Sequence, residues 1–299
     1  MIDRNDPRYL SELLKQKSQN DPKEIAIREK VRAVMLKENW AKYAFEKVRQ
    51  QQIDYIKDAV ANIQNDAYVH DLTQKNLREI SEEMKSKIVE GKHLLDKVPK
   101  QHPAIIATNH FGAYKLFGVS PKNDIGVDMP GYDAMYPYLM YFAALVPVSE
   151  GLGDNLYYAS NDFPGIFGDI HRKAGFIHVP PIAEGKTAYL IEQNREAIRK
   201  RPNSAIVSFP EGTTSGKPSG RGPYDLEPFK TGAYVIAAEL GMYIVPVAQY
   251  FNPQEGYELK VLQPFIPERG DKEKYQQYAD TNRSEMQIWL DKCIGRKVA

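Results

Sequence analysis

Cysteine is almost absent from this sequence, and neither sign of charge is in excess. The single cysteine among 299 residues, Cys293, can form no disulfide within the chain and cannot supply a cluster of thiolate ligands. Such cysteine usage is typical of a reducing compartment. Lys and Arg total 40 against 39 Asp and Glu, so the overall charge provides no attraction to nucleic acid or to an anionic membrane. We therefore expect no nucleic-acid partner.

Long apolar runs are also missing. No stretch reaches the roughly 18 consecutive apolar residues of a membrane-spanning helix. The first residues lack the basic segment and apolar core of a secretory signal. With 42% hydrophobic and 26% charged residues, the composition is that of a globular protein. These absences predict a cytoplasmic protein, with peripheral contact with a membrane as the open alternative.

The first part of the chain is polar and follows a helical pattern. Asp21 and Pro22 provide a capping residue and a proline at the first helical position, and apolar residues then recur every three or four positions up to Ile63. A further helix is predicted from Leu72 to Val89 and ended by Gly91. We interpret residues 1–98 as a helical domain that packs against the remainder. A helical element that docks on a membrane or a partner is the alternative.

Residues 99–299 have a different pattern, in which short apolar runs alternate with helical stretches. The runs predicted as strands cover 103–108, 204–209, 242–248 and 258–262, and helical patterns cover 186–199 and 232–240. This order predicts an α/β domain with a largely parallel sheet flanked by helices. Active sites in such sheets lie at the carboxyl ends of the strands, so the polar residues after each run are the first candidates for chemistry.

Two of these strand ends carry promising residues. The segments 107–115 and 208–215 each follow an apolar run and open into small or polar side chains. His110 in the first segment is a candidate general base because the pKa of histidine lies near neutrality. A buried histidine with only a structural role is the alternative.

The second segment, Phe209-Pro-Glu-Gly-Thr-Thr-Ser215, resembles the Phe-Pro-Glu-Gly-Thr-Arg-Ser block of the glycerolipid acyltransferase superfamily, which includes lysophosphatidate and glycerol-3-phosphate acyltransferases. Four other features occur in the same order as in that superfamily. Asn109-His110 is similar to the start of its His-four-residues-Asp motif. The other features are similar to its remaining blocks: Tyr158–Phe163 through Gly175–His178, Pro228–Ala233 and Ile244–Val247.

The resemblance implies an acyltransferase of lipid metabolism and phospholipid biosynthesis. Such an enzyme moves a fatty-acyl group from the thioester of acyl-CoA or acyl carrier protein to a hydroxyl or amine. His110 would remove the proton of the acceptor, and the turn at 211–213 would stabilise the oxyanion on the thioester carbonyl. Neither a metal nor another cofactor is needed. The substrate-binding residues that the resemblance implies are Asn109, Phe209, Pro210, Glu211, Gly212, Thr213, Thr214, Ser215 and Lys230.

One departure from the family's pattern affects the predicted base. Lys115 stands where the superfamily has the Asp that accepts the imidazole proton, and a lysine side chain has donors only. We keep Lys115 as a catalytic candidate because a nearby ammonium favours the neutral imidazole that a base requires. A different carboxylate would then have to orient His110, and the candidates are Asp124, Asp128 and Asp133. A backbone carbonyl is the other possibility.

The family's phosphate-binding arginines are also replaced. Val179-Pro180 and Thr214 stand at their positions, and neither can form the bidentate hydrogen bonds that arginine gives to phosphate. We therefore expect an acceptor other than the usual glycerol phosphates, unless Arg172, Lys217 or Arg221 restores the charge. A catalytically inactive binding or regulatory subunit with the same fold is the alternative function.

The most apolar stretch, residues 135–148, is rich in Tyr and Met and is too short to span a bilayer. It is predicted to be either a buried helix or the wall of an acyl-chain tunnel or membrane-facing patch. Only the second interpretation leaves several of its side chains exposed.

Overall fold

A seven-stranded sheet forms the centre of the computed structural model. Its strands lie in the order β1 (Lys87–Glu90), β7 (Gly256–Val261), β6 (Tyr243–Asn252), β2 (Ala104–Thr108), β5 (Ser204–Ser208), β3 (Asn155–Asn161) and β4 (Ile177–Val179). The structure describes residues 39–100, 102–110, 139–153, 155–161, 166–179, 186–202, 204–213, 215–216, 219, 222, 224–252 and 254–296.

Two helices precede the sheet. Helix α1 covers Asn39–Ala61 and α2 covers Asp66–Glu83. The side chain of Asn65 caps α2 by accepting a hydrogen bond from the N–H of Tyr68 at 3.1 Å. Val48 and Ile56, which belong to the predicted apolar stripe, are buried in the same core as the sheet. The predicted helical stretch from residue 21 to residue 38 lies outside the described residues.

The second predicted helix ends earlier than expected. Lys85 has a φ of 51°, a left-handed conformation that interrupts the helix after Glu83. The chain then forms strand β1 (Lys87–Glu90), which pairs in parallel with β7. The prediction of a helix from residue 72 to residue 89 is therefore wrong over its last residues. Gly91 begins a 3-10 helix, Lys92–Lys97, rather than ending an α-helix.

The four strands predicted from apolar runs are all present. They are β2 (Ala104–Thr108), β5 (Ser204–Ser208), β6 (Tyr243–Asn252) and β7 (Gly256–Val261). Three strands were not predicted, which are β1, β3 (Asn155–Asn161) and β4 (Ile177–Val179). All neighbouring strands run parallel except β6 and β7, which are antiparallel. The α/β fold class with a largely parallel sheet is thus confirmed.

Helices connect these strands in the usual α/β manner. The remaining helices are α3 (Met140–Ala143), α4 (Val146–Leu152), α5 (Ile166–Ala174), α6 (Lys186–Lys200), α7 (Gly232–Leu240) and α8 (Lys272–Cys293). Helix α6 matches its prediction to within one residue and α7 matches it fully. Helix α8 packs against β6 and α7. The division of the chain into domains at residue 98 stays a prediction.

The structure describes the apolar segment 135–148 from Leu139 onward. Seven of its side chains are buried, and they belong to Leu139, Tyr141, Ala143, Ala144, Leu145, Val146 and Val148. Phe142 and Pro147 are half-buried. Over these residues the interpretation as buried helix is supported, and a membrane-facing patch is not. Among the helices that the structure describes, none is long and apolar enough to cross a bilayer.

Candidate active site

The candidate site lies where β2 and β5 end side by side. These strands are parallel neighbours in register, with Ala107 opposite Ser208. Asn109 and His110 therefore leave the sheet at the same edge as the segment that begins with Phe209. Polar residues at the carboxyl ends of adjacent parallel strands form the usual crevice for chemistry in α/β proteins. The sequence-predicted candidates are thus brought together in space.

The segment after β5 folds into a tight turn. The N–H of Gly212 donates to the carbonyl of Phe209 at 2.9 Å, and the N–H of Lys230 donates to the carbonyl of the buried Pro210 at 2.8 Å. Gly212 has a φ of 62°, in the left-handed region that favours glycine. A Cβ at this position would lie only 2.5 Å from Nζ of Lys230. The turn therefore requires glycine, and the side chain of Lys230 lies against it.

Glu211 is the buried centre of this turn, with 2% of its surface exposed. Its Oε1 accepts hydrogen bonds from the backbone N–H of His110 at 3.0 Å and from the hydroxyl of Ser215 at 2.7 Å. Its Oε2 accepts from the N–H of Glu227 at 2.8 Å. Burial raises the pKa of Glu211 to about 7, although the three hydrogen bonds oppose the shift. The carboxyl group thus joins three separate segments of the chain.

The imidazole of His110 lies between aromatic rings. The ring of Phe209 meets it edge-on with the centroids 4.7 Å apart, and the ring of Tyr141 lies tilted at 4.9 Å. Phe142 in turn contacts Phe209 at 5.5 Å between centroids. The carbonyl of His110 accepts a hydrogen bond from the N–H of Ser215 at 2.7 Å. His110 is therefore held at its backbone by polar contacts and at its ring by apolar ones, and it remains half-buried.

Asn109 is fully buried and bonds to strand β6. Its side-chain amide accepts from the N–H of Gln249 at 2.8 Å and donates to the carbonyl of Gln249 at 3.1 Å. Buried amides require such partners, and here the partner is backbone. The predicted role of Asn109 in substrate binding stays a prediction, and these contacts give the residue a structural role as well.

Several predicted residues cannot be placed. Lys115, Thr214 and the carboxylates of Asp124, Asp128 and Asp133 lie outside the described residues, as do Lys217 and Arg221. Val179, at one of the positions where the superfamily has arginine, is the last residue of β4. Arg172 is exposed on α5 and forms an ion pair with Asp169 at 2.5 Å, so its guanidinium already has a carboxylate partner.

The sequence did not single out three residues that the structure brings to the site, which are Tyr141, Glu227 and Gln249. Tyr141 belongs to the apolar stretch whose second interpretation was a tunnel wall, so its composition was a usable signal. Glu227 and Gln249 each lie next to a motif block, one residue before 228–233 and two after 244–247. Proximity to a block does not reveal a hydrogen bond, so only the fold identifies them.

The site contains a half-buried imidazole, a buried carboxyl group and aromatic walls. Among the residues that the structure describes, no group of three or more His, Cys, Asp or Glu side chains could hold a metal ion. A half-buried imidazole beside a strand-end turn can accept a proton from a substrate hydroxyl or amine.

Comparisons with known proteins find one matching family model and similar solved structures. Residues 155–250 match the family model described as Acyltransferase, a segment that includes the turn after β5 and ends just after Gln249. His110 lies before the matched residues. No curated protein matches the chain. The solved structures similar to it include the 1-acyl-sn-glycerophosphate (LPA) acyltransferase PlsC from Thermotoga maritima, with 16% identity, a TM-score of 0.44, and coverage of 90% of this chain and 97% of that one. The match over residues 155–250 shows that this part of the chain is similar to the acyltransferase family, in agreement with the resemblance found in the sequence motifs.

Proposed function

We propose that this acyltransferase moves a fatty-acyl group from the thioester of acyl-CoA or acyl carrier protein to a hydroxyl or amine acceptor, with His110 as general base. The observation that carries the proposal is the position of His110 beside the turn 209–213, to which its backbone is hydrogen-bonded through Glu211. A base fixed against the turn that resembles the family's acceptor-binding block is suitably placed to act on an acceptor bound there.

The reaction requires one proton transfer in each direction. The imidazole of His110 takes the proton from the acceptor while the acceptor oxygen or nitrogen attacks the thioester carbonyl. The oxyanion that forms needs hydrogen-bond donors, which we assign to the backbone of the turn at 211–213. When the oxyanion collapses, the carbon–sulfur bond breaks, and the thiolate receives the proton from the imidazolium. No covalent enzyme intermediate and no cofactor are needed.

We further propose that the preferred acceptor lacks the phosphate of lysophosphatidate and glycerol 3-phosphate. Two positions at which the superfamily has arginine are Val179 and Thr214, and Arg172 is paired with Asp169. Lys230 is exposed, and its side chain lies over Gly212. It provides a single point charge and lacks the planar fork with which arginine binds phosphate in a bidentate manner.

A panel of substrates tests the reaction and the acceptor together. Acyl-CoA and acyl carrier protein thioesters are each incubated with glycerol 3-phosphate, lysophosphatidate, an unphosphorylated long-chain alcohol and a long-chain amine, and acyl transfer is followed by mass spectrometry. We expect transfer to an unphosphorylated acceptor. Preferred transfer to either phosphorylated acceptor would overturn the proposal on the acceptor while leaving acyl transfer intact.

Replacement of histidine tests the base. His110→Ala is expected to lower kcat at least about 100-fold, since general base catalysis contributes about that much or more. His102 offers a matched control because it precedes the opposite end of the same strand, where its ring packs against Tyr243. His102→Ala is expected to retain activity. Unchanged transfer by His110→Ala would show that the base is assigned wrongly.

A second candidate function rests on Lys115. Because lysine cannot accept the imidazole proton, the chain could be a binding or regulatory subunit without catalytic activity. Wild-type protein that binds an acyl thioester in a calorimetric titration but transfers it to no acceptor would favour this function. Lys115→Asp separates the two cases further. A higher rate of acyl transfer would show that Lys115 had weakened the family's His-Asp motif, whereas a lower rate would show that Lys115 takes part in catalysis.

A cytoplasmic location, with or without peripheral membrane contact, is part of the proposal. Its support is the sequence composition together with the burial of the described part of the segment 135–148. Co-sedimentation of the purified protein with zwitterionic and with anionic vesicles would measure any such contact.

A further inference from the structure

One peptide group of the site is held from both sides. The carbonyl of Asn109 and the N–H of His110 belong to the same peptide unit. The carbonyl accepts a hydrogen bond from Nε2 of Gln249 at 2.5 Å, and the N–H donates to Oε1 of Glu211 at 3.0 Å. Gln249 belongs to β6 and Glu211 follows β5, so the peptide is fixed between the two strands that flank β2.

The contact with β6 includes more than this one hydrogen bond. The side-chain amide of Asn109 pairs with both backbone groups of Gln249, so it acts as an additional peptide at the end of β2. The side chain of Gln249 in turn donates a hydrogen bond from Nε2 to the backbone carbonyl of Asn109. Both residues are fully buried, where a hydrogen bond has little competition from water and its geometry is well defined.

We propose that Gln249 is a positioning residue for the base. This inference rests on the proposed function, because it assumes that His110 takes the proton. A rotation of the peptide between Asn109 and His110 would redirect the Cα–Cβ bond of His110 and move the imidazole away from the acceptor. Gln249 prevents that rotation from one side, as Glu211 does from the other. Since displacement of a catalytic group by about 1 Å can cost about 100-fold in rate, this restraint affects catalysis.

The alternative is that Gln249 only stabilises the fold. The chain contains another buried glutamine, Gln74, that bonds to backbone groups away from the site. Gln74 on α2 is also buried, and its side-chain amide bonds to both backbone groups of Leu156, with Nε2 to the carbonyl at 2.8 Å and the N–H to Oε1 at 3.3 Å. Leu156 lies near the start of β3, away from the strand ends that form the site. Gln74 therefore provides a control of the same residue type that is also buried and also donates from Nε2 to a backbone carbonyl.

The test compares Gln249→Glu and Gln249→Met with Gln74→Met in steady-state acyl transfer. Gln249→Glu keeps the size of the side chain and removes the amide donor, and Gln249→Met removes the polar side-chain atoms, while the two backbone contacts of residue 249 with Asn109 remain possible in both variants. For Gln249→Met we expect kcat to fall about 10- to 100-fold, with KM changed less than about twofold, because a misplaced base affects the transition state rather than binding. Gln249→Glu should lower kcat as well, because a carboxylate oxygen would face the buried carbonyl of Asn109, and Gln74→Met should keep the wild-type kcat.

Thermal unfolding of each variant ensures that all are assayed while folded. If Gln249→Met is not folded at the assay temperature, Gln249→Glu alone decides the question. A wild-type kcat for Gln249→Glu and Gln249→Met, or an equal loss for Gln74→Met, would overturn the positioning role. His110→Ala is assayed in parallel: its inactivity together with fully active Gln249 variants would refute only this inference, whereas an active His110→Ala would refute the proposed base itself.

Discussion

Oε1 of Glu211 accepts a hydrogen bond from the backbone N–H of His110 at 3.0 Å, across two neighbouring strand ends. The same carboxyl group also accepts from the hydroxyl of Ser215 and from the N–H of Glu227. All of its contacts therefore point into the protein, and it is 2% exposed. In this structure Glu211 connects the turn after β5 to the residue proposed as the base, while its predicted contact with substrate remains to be measured.

Glu211→Gln is expected to reduce both stability and activity. An amide keeps one oxygen acceptor, but its NH₂ group would face the N–H of Glu227, so two buried donors would lack an acceptor. Such a loss costs on the order of 1–3 kcal/mol in the free energy of unfolding. Displacement of His110 should lower kcat about 10-fold or more. Chemical denaturation and acyl-transfer kinetics measure the two effects. Glu79→Gln, on the surface of α2, serves as the control, and a stable but fully active Glu211→Gln would contradict the connection to His110.

The pH dependence of stability should report on Glu211 directly. Its pKa is about 7 in the folded protein against an ordinary value of 4.5, so folding favours the protonated carboxyl group. The contribution of Glu211 to the free energy of unfolding is therefore greatest at low pH and falls as the pH rises from about 4.5 to about 7. Wild type should lose stability relative to Glu211→Gln between about pH 5 and about pH 8 in urea titrations. Parallel pH curves for the two proteins would show that the pKa is not raised.

Gly212→Ala tests whether Lys230 must lie against the turn. The substitution strains a left-handed backbone and places a methyl group 2.5 Å from Nζ of Lys230. Gly241 is a matched control, because its φ of 65° is similar and a Cβ there meets no atom within 4 Å. Both variants should lose about 1 kcal/mol of stability from strain alone. Only Gly212→Ala should also raise KM for the acyl acceptor, and equal kinetics for the two variants would argue against a role for Lys230 in binding.

Arg283 on α8 connects the C-terminal helix to the site. Its guanidinium donates to the carbonyl of Leu226 at 2.8 and 3.2 Å and to that of Glu227 at 3.1 Å. Glu227 in turn donates to Glu211. Arg283→Leu should cost about 1–3 kcal/mol of stability and lower kcat, since it removes the donors to these carbonyls.

Arg269→Leu provides the comparison for Arg283→Leu. The side chain of Arg269 is 69% exposed and pairs with Glu239 at the surface, so its loss should change stability by less than about 1 kcal/mol and leave kcat unchanged. Equal effects of the two substitutions in thermal unfolding and kinetics would show that α8 does not support the site.

Strand β1 could not be predicted from the sequence. Ile88 and Val89 continue the apolar spacing of α2, and nothing local distinguishes the end of a helix from the start of a strand there. The strand exists because β7, far along the chain, offers its backbone as a partner. Gly91 does not end a helix as predicted, and its glycine is required for another reason: its φ is 81°, and a Cβ there would lie 2.0 Å from the carbonyl oxygen of Val261.

The fold class, the location of four strands and the motifs that resemble the acyltransferase family can be read from the sequence alone, because apolar periodicity and motif spacing are properties of neighbouring residues. The sequence also pointed to His110 and the segment 209–215 as candidates, since active sites in parallel sheets lie at the carboxyl ends of the strands. The three-dimensional fold is needed to see that Gln249 and Glu211 hold the two sides of one peptide group, and that Glu211 is buried deeply enough to raise its pKa to about 7. These relationships join residues that are over a hundred positions apart, and hydrogen bonding at such separation depends on how the strands pair rather than on any local pattern.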